Sequence, residues 1–235
     1  MPGAWELERQ VKLGYIIPLK DKVDMSWVLH FIQLVTHTRL PQAFYVSKHY
    51  RIDEARNRAT LKALKEGCTH LMFLDSDIIP MYYDVNTKKW YFNPLVIRYM
   101  ISLDYPIISG LYYTSRLVPN VYVWDEKEKT YKPYDIERLI GKQGYADACG
   151  LGFVLIQRKV FEVMKEKGYF PWFEYKCDYE VGSEIKIKEV SEDFFFMDRA
   201  RKCGFKVLVL GNIFCKHIVD SCVWKGRGFE PVWKE

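Results

Sequence analysis

The chain has 235 residues, 49% of them apolar, with 14 glycines and 10 prolines, a balance that excludes a disordered tail, a collagen-like rod and a bare coiled coil. Lysine and arginine number 35 against 30 aspartates and glutamates, a net charge of +5 with the two signs interspersed. So modest an excess suits an anionic small molecule, and no nucleic-acid partner is expected.

The first half alternates strand and helix signals. LGYIIP (13–18) is an apolar run stopped by Pro18 and reads as a buried strand; MSWVLHFIQLVT (25–36) is apolar at helical spacing. AFYVS (43–47) is a second strand, and a polar–apolar helix runs from Asp53 to about Glu66, with Gly67 at its C-terminal cap. THLMFL (69–74) is a third strand, Asn93-Pro94 opens a helix to about Leu103, and PIISG (106–110) is a fourth strand. This order predicts an α/β fold with a mostly parallel central sheet and helices on both faces.

Beyond residue 110 the pattern loosens. VYVW (121–124) and TYKPY (130–134) flank a charged turn and read as a surface hairpin; ADACG (146–150) and GFVLIQR (152–158) are strand-like. An amphipathic helix follows from Arg158 to Lys167, Ser191 caps a helix to Cys203, and KVLVL (206–210) reads as a last buried strand. No linker divides the chain, so one domain is expected over 1–235. The six cysteines form no C-x-x-C pair, which argues against zinc and for free thiols in a reducing, cytoplasmic compartment. No secretory signal or run of ~20 apolar residues is visible, so membrane contact, if any, is expected only at the surface.

The sharpest feature is THLMFLDSDIIP. With 14 aspartates in the chain, about 0.8 Asp-x-Asp matches arise by chance, so position matters more than the triplet. An apolar strand leads directly into it, which sets Asp75 and Asp77 at the carboxyl edge of the sheet, where open α/β sheets bind ligands. Two close carboxylates there repel each other unless a cation or donors compensate, and Mg²⁺ or Mn²⁺ pairs such acids with substrate phosphates. A turn capped by both aspartates is the plainer alternative.

In order, ARN (55–57), DSD (75–77), ISGLYY (108–113), ADACGLGFVLIQRKVFE (146–162), SEDFFFMDRARKCGFKVLVL (191–210) and CKH (215–217) resemble the nucleotide-sugar-dependent glycosyltransferases of the GT-A fold, in a small, family 2-like form. The resemblance covers roughly 13–218 and implies a nucleotide-binding half at about 13–115 and an acceptor half at about 144–218. The stretch 219–235 is then a tail or lid.

It further implies a nucleoside-diphosphate sugar donor, UDP- or GDP-linked, and Mn²⁺ or Mg²⁺ as cofactor. Asp77, His217 and Asp75 would hold the metal, and Pro18, Arg56, Asp75 and Ser76 the nucleotide. Gly110, Gly150, Gly152 and Glu192 would face the donor or acceptor sugar, and Asp193 would be the base of an inverting reaction. A hydroxyl needs such a base within hydrogen-bond reach as it attacks. The acceptor, whether glycan, lipid or protein, stays open.

Each residue also has a simpler role available. Glu192 and Asp193 suit the first turn of a helix through its dipole; a lone histidine such as His217 is often a hydrogen-bonder; Arg58 reads as solvated helix surface, and His30 and His37 as packing residues. Two other readings share the motif. A haloacid-dehalogenase-like phosphatase would use Asp75 as nucleophile and Asp77 as acid/base; a non-catalytic nucleotide- or glycan-binding module would keep the fold without turnover.

Overall fold

The computed structural model describes residues 10–19, 22–48, 50–84, 86–114, 117–181, 185–219, 222–223 and 232–233. Most of the expected 219–235 tail lies outside them. The first half follows its sequence closely. β1 (Leu13–Pro18), α1 (Met25–Thr38), β2 (Gln42–Ser47), α2 (Ile52–Lys65) and β3 (His70–Leu74) run in order. β1 pairs in parallel with both β2 and β3, so the motif strand is central and parallel to 13–18, as its two-sided apolar run requires.

Alternation along these strands divides the core into two layers. Leu13, Tyr15 and Ile17 of β1, with Met72 and Leu74 of β3, meet Trp27 and Leu34 of α1 on one face. That layer is closed by Val96, Ile97, Met100 and Ile101 of α3 (Val96–Ser102). Ile16, Leu71 and Phe73 point the other way, onto Ala59 and Ala63 of α2. Helices therefore cover both faces, as the sequence predicts.

The expectation of a mostly parallel sheet needs correction: the sheet is mixed. β4 (Ile78–Asp84) and β5 (Lys89–Tyr91) follow the motif at once as a hairpin, and β6 (Ile107–Leu111) comes after α3. The antiparallel hairpin β7 (Val121–Asp125) and β8 (Thr130–Pro133) lies where the sequence indicated. β9 (Gln143–Ala146) and β10 (Ala148–Cys149) lead to β11 (Phe153–Gln157). β11 inserts between β3 and β6 and is antiparallel to both. Direction is invisible in an apolar run, because a strand buried on both faces carries the same residues either way round.

The remaining helices are α4 (Arg158–Glu166) and α5 (Glu192–Lys202), separated by the hairpin β12 (Lys176–Val181) and β13 (Ile185–Val190). The final run is longer than expected. β14 spans Val207–Val219 and pairs in parallel with β6 through its first half. Its second half turns to antiparallel pairing with β4. The main sheet thus has the order β2–β1–β3–β11–β6–β14. Among the described residues no helix is long and apolar enough to cross a membrane.

Candidate active site

The carboxyl ends of β1, β2 and β3 open onto a cavity of about 210 Å³ lined by Pro18, Ser47, Asp75, Ser76 and Asp77. The turn that builds it is tightly held. Ile78 N–H donates to the Asp75 carbonyl at 3.1 Å and Asp75 N–H to Gly152 O at 3.0 Å. The Trp27 indole N–H donates to the same Asp75 carbonyl at 3.0 Å. Of the residues assigned to the nucleotide, Pro18, Asp75 and Ser76 are brought together here.

The register of β4 against β14 sets His217 opposite Ile78, and Ile218 N–H donates to Asp77 O at 2.7 Å. His217 Nδ1 lies 2.9 Å from the Tyr113 carbonyl, an acceptor, so the network assigns the neutral ring's proton to Nδ1. Nε2 then turns its lone pair on Asp77 Oδ2 at 3.3 Å, a pairing that a proton or a cation between the two atoms makes favourable. Mg²⁺ binds oxygen ligands at ~2.1 Å in near-octahedral geometry, which sets adjacent ligand atoms about 3 Å apart. The spacing of Asp77 and His217 would suit two adjacent ligands of a divalent ion, and the imidazole nitrogen favours Mn²⁺ over the oxygen-demanding Mg²⁺. The third expected ligand does not join them. Asp75 Oδ1 accepts from Arg56 at 3.0 Å, and no group of three or more His, Cys, Asp or Glu side chains forms a metal cluster among the described residues.

Arg56 departs from its expected role. Only 2% exposed, its guanidinium is held between Asp75 and Glu192, so it braces the two acidic segments instead of reaching a phosphate. Burial holds the Glu192 carboxyl above its usual range against the opposing pull of Arg56; Asp75 is raised by the same balance, with Asp77 adding a further upward push. Glu192, 7% exposed, is accordingly an ion-pair partner and not a sugar-facing residue. Asn57 completes the ARN segment: its side chain accepts from Trp172 N–H at 3.1 Å and Phe173 N–H at 3.2 Å, and donates to Phe173 O at 2.6 Å. Arg58 pairs with Glu54 on the exposed face, as read. His30 packs edge-on to Phe92 at 4.5 Å, whereas His37 is exposed and is not a packing residue.

A second cavity, about 340 Å³, opens beside α5 and is lined by Tyr112, Asn120, Gly150, Asp193 and Phe194. Ser191 begins the helix without capping a backbone N–H; its hydroxyl donates to Asp193 Oδ1, which also accepts from Phe194 N–H at 2.8 Å. A Cβ on Gly150 would stand 3.5 Å from the other oxygen, Oδ2, so that oxygen faces the glycine turn.

Tyr112 lines this second cavity and is tied to the Asp75 turn through Gly152. It is 5% exposed, and its hydroxyl accepts from Gly152 N–H at 3.0 Å. Burial drives its pKa well above the ordinary phenol value, with Asp75 and then Asp193 pushing the same way. Buried Asn120 fixes it by accepting from Tyr112 N–H at 2.9 Å, and Gly150 N–H donates to Asn120 O at 2.7 Å.

The two glycines of CGLGF have one cause. A Cβ at Gly150 would approach the Tyr112 hydroxyl to 2.6 Å, and at Gly152 to 2.8 Å. Gly110 is different: it is buried in β6, where a Cβ would meet Ile213 and Phe153 at 3.0 Å. Core packing, not sugar contact, accounts for it. Gly150→Ala is expected to destabilise the fold by ~1–3 kcal/mol through overpacking. Adding Tyr112→Phe should recover part of that loss, because the clashing atom is gone; chemical denaturation of both variants checks it.

No family model matches this chain, and no curated protein does. Among solved structures, A197 from STIV superposes with a TM-score of 0.60 at 18% identity, over 96% of this chain and 95% of that one. GalNAc-T7, solved with UDP, GalNAc and Mn²⁺, gives a TM-score of 0.49 at 12% identity, over 89% of this chain and 44% of that one. The likeness to A197 is one of fold: a mixed α/β sheet covered by helices.

Proposed function

We propose that this chain is a metal-dependent glycosyltransferase of GT-A type, moving a sugar from a nucleoside-diphosphate sugar to an acceptor hydroxyl with inversion. The observation that carries the reading is a pair of acidic cavities whose walls are tied through Gly152, which accepts from Asp75 N–H and donates to the Tyr112 hydroxyl. One holds Asp75, Ser76 and Asp77 at the carboxyl edge of parallel strands; the other holds Asp193. Pro18 and Ser76 would border the nucleotide in the first cavity. Asp77 and His217 would hold Mn²⁺ or Mg²⁺, with Asp75 facing the same space, and a bound ion there would stabilise charge on the departing diphosphate as a Lewis acid.

In the second cavity, Asp193 would take the proton of the acceptor hydroxyl on its Oδ2, while Ser191 and the Phe194 N–H fix Oδ1. Separation of the metal pair from the base suits attack on the face opposite the leaving group, through an oxocarbenium-like transition state. Cys68, Cys149, Cys177, Cys203 and Cys215 are free thiols, which suits a cytoplasmic setting. The test is release of nucleoside diphosphate from UDP- and GDP-sugars in Mn²⁺. Turnover of at least one donor that stops on adding EDTA is expected; no release from any donor, with or without acceptor sugars, would reject the reading.

A further inference from the structure

We propose that a groove beside the Asp193 cavity binds the inner residues of a neutral oligosaccharide whose terminal sugar is the acceptor; this deepens the transferase reading and rests on it. The groove, about 920 Å³, runs between the β7–β8 hairpin and α5, with Trp124, Tyr131, Tyr175, Phe194 and Phe195 along it. Ser191 and Phe194 line both it and the Asp193 cavity, so the two spaces meet at the start of α5. Its volume far exceeds the 340 Å³ beside Asp193, which leaves room for several sugar units beyond the reacting one.

The chemistry of the walls selects the ligand. Trp124 and Tyr131 meet at 5.0 Å and 66°, and Tyr131 and Phe194 at 5.3 Å and 51°, giving a run of tilted apolar ring surface. A pyranose offers a matching face of C–H groups and an edge of hydroxyls. Beside the rings the Tyr131 hydroxyl accepts from Arg201 Nε at 3.2 Å and donates to Asp198 at 3.3 Å, and Arg201 also bonds Asp198 at 3.0 Å; the carboxylate of Asp198 keeps lone pairs that can accept from a sugar hydroxyl.

Charge argues for neutrality. Lys202 pairs with Asp198 at 2.6 Å and Lys129 with Glu126 at 2.8 Å. The Arg201 guanidinium lies 4.2 Å over the Trp124 ring. The cations of the groove thus already have carboxylate or aromatic partners, and an anionic polymer would have to displace them.

The probe is a panel of neutral tetrasaccharides, α- and β-linked gluco-, manno-, galacto- and N-acetylglucosamine series with their monosaccharides, titrated by saturation-transfer NMR. At least one tetrasaccharide should bind, and more tightly than its monosaccharide. Trp124→Ala and Tyr175→Ala, the latter at a ring 38% exposed, should each weaken it roughly 3- to 10-fold, the range for losing one aromatic contact. Failure of every tetrasaccharide to bind, equal binding by both variants, or competition by an acidic peptide in place of sugar would overturn the proposal. Mn²⁺–UDP and Mn²⁺–GDP titrated into the same samples separate the two readings. Nucleotide binding without tetrasaccharide binding defeats the groove alone. Tetrasaccharide binding without nucleotide binding defeats the transferase and leaves a glycan-binding groove.

Discussion

Asp193→Asn is expected to lower the rate of sugar transfer by ~10²–10⁴-fold, the range for loss of a general base, while Mn²⁺–nucleotide binding stays unchanged. The substitution keeps shape and leaves an amide oxygen where Oδ1 accepts from Ser191 and from Phe194 N–H; only basicity at the oxygen facing Gly150 is lost. Asp193 is not among the residues lining the Pro18–Asp77 cavity, so donor affinity should not register the change. The rate is followed as acceptor glycosylation under saturating donor, and the product's anomeric configuration is read by NMR. Transfer at near-normal rate, or a product that retains the donor's configuration, would remove Asp193 from the role of inverting base.

The second large effect falls on stability. Arg56→Met should cost ~3–5 kcal/mol, because removing one partner of a buried ion pair leaves its carboxylates uncompensated. For a domain of this size that corresponds to a fall in Tm of roughly 10 °C. Glu192 is the more exacting neighbour, its side chain 9% exposed against 29% for Asp75. Combining Arg56→Met with Glu192→Gln should therefore recover a good part of the loss, a non-additivity that a double-mutant cycle measures. If instead Arg56→Met left stability untouched and weakened nucleotide binding, the nucleotide-binding role implied by the resemblance would return.

The sequence made the first half of the fold and the carboxyl edge of the sheet legible because the signals there are local. Apolar runs with caps place β1 to β3, and an acidic pair directly after a buried strand marks the sheet's carboxyl end. What it hid depends on pairing between distant segments. Pro80 sits inside β4 opposite Cys215, where a proline gives no local sign of a strand. β5 pairs only from Tyr82 onward, so no second neighbour needs the missing N–H there. The last strand read as 206–210, yet β14 runs on to Val219 and delivers His217 to Asp77.

The candidate site was half legible for the same reason. Asp75 and Asp77 were marked by their place after a buried strand, whereas Asp193, His217, Gly150 and Gly152 came only from the family resemblance. Neither singled out Tyr112, although its hydroxyl is what those glycines accommodate: one tyrosine among 17 carries no local mark. For Arg56 the resemblance implied nucleotide contact, and nothing local marks its burial, since a charged side chain on a polar helix is ordinarily solvated. Only the tertiary arrangement of Asp75 and Glu192 accounts for its burial.

The central claim is that Asp77 and His217 form a divalent-metal site completed by a nucleotide diphosphate. Electron paramagnetic resonance of free Mn²⁺ during titration into the protein, with and without UDP or GDP, measures that directly. One Mn²⁺ per chain should be taken up in the presence of a nucleotide and much less in its absence. Asp77→Ala should weaken uptake by roughly 100-fold or more, since even outer partners of a metal site cost 10–100-fold. Uptake that is independent of nucleotide, or equal in wild type, Asp77→Ala and His217→Ala, would contradict it.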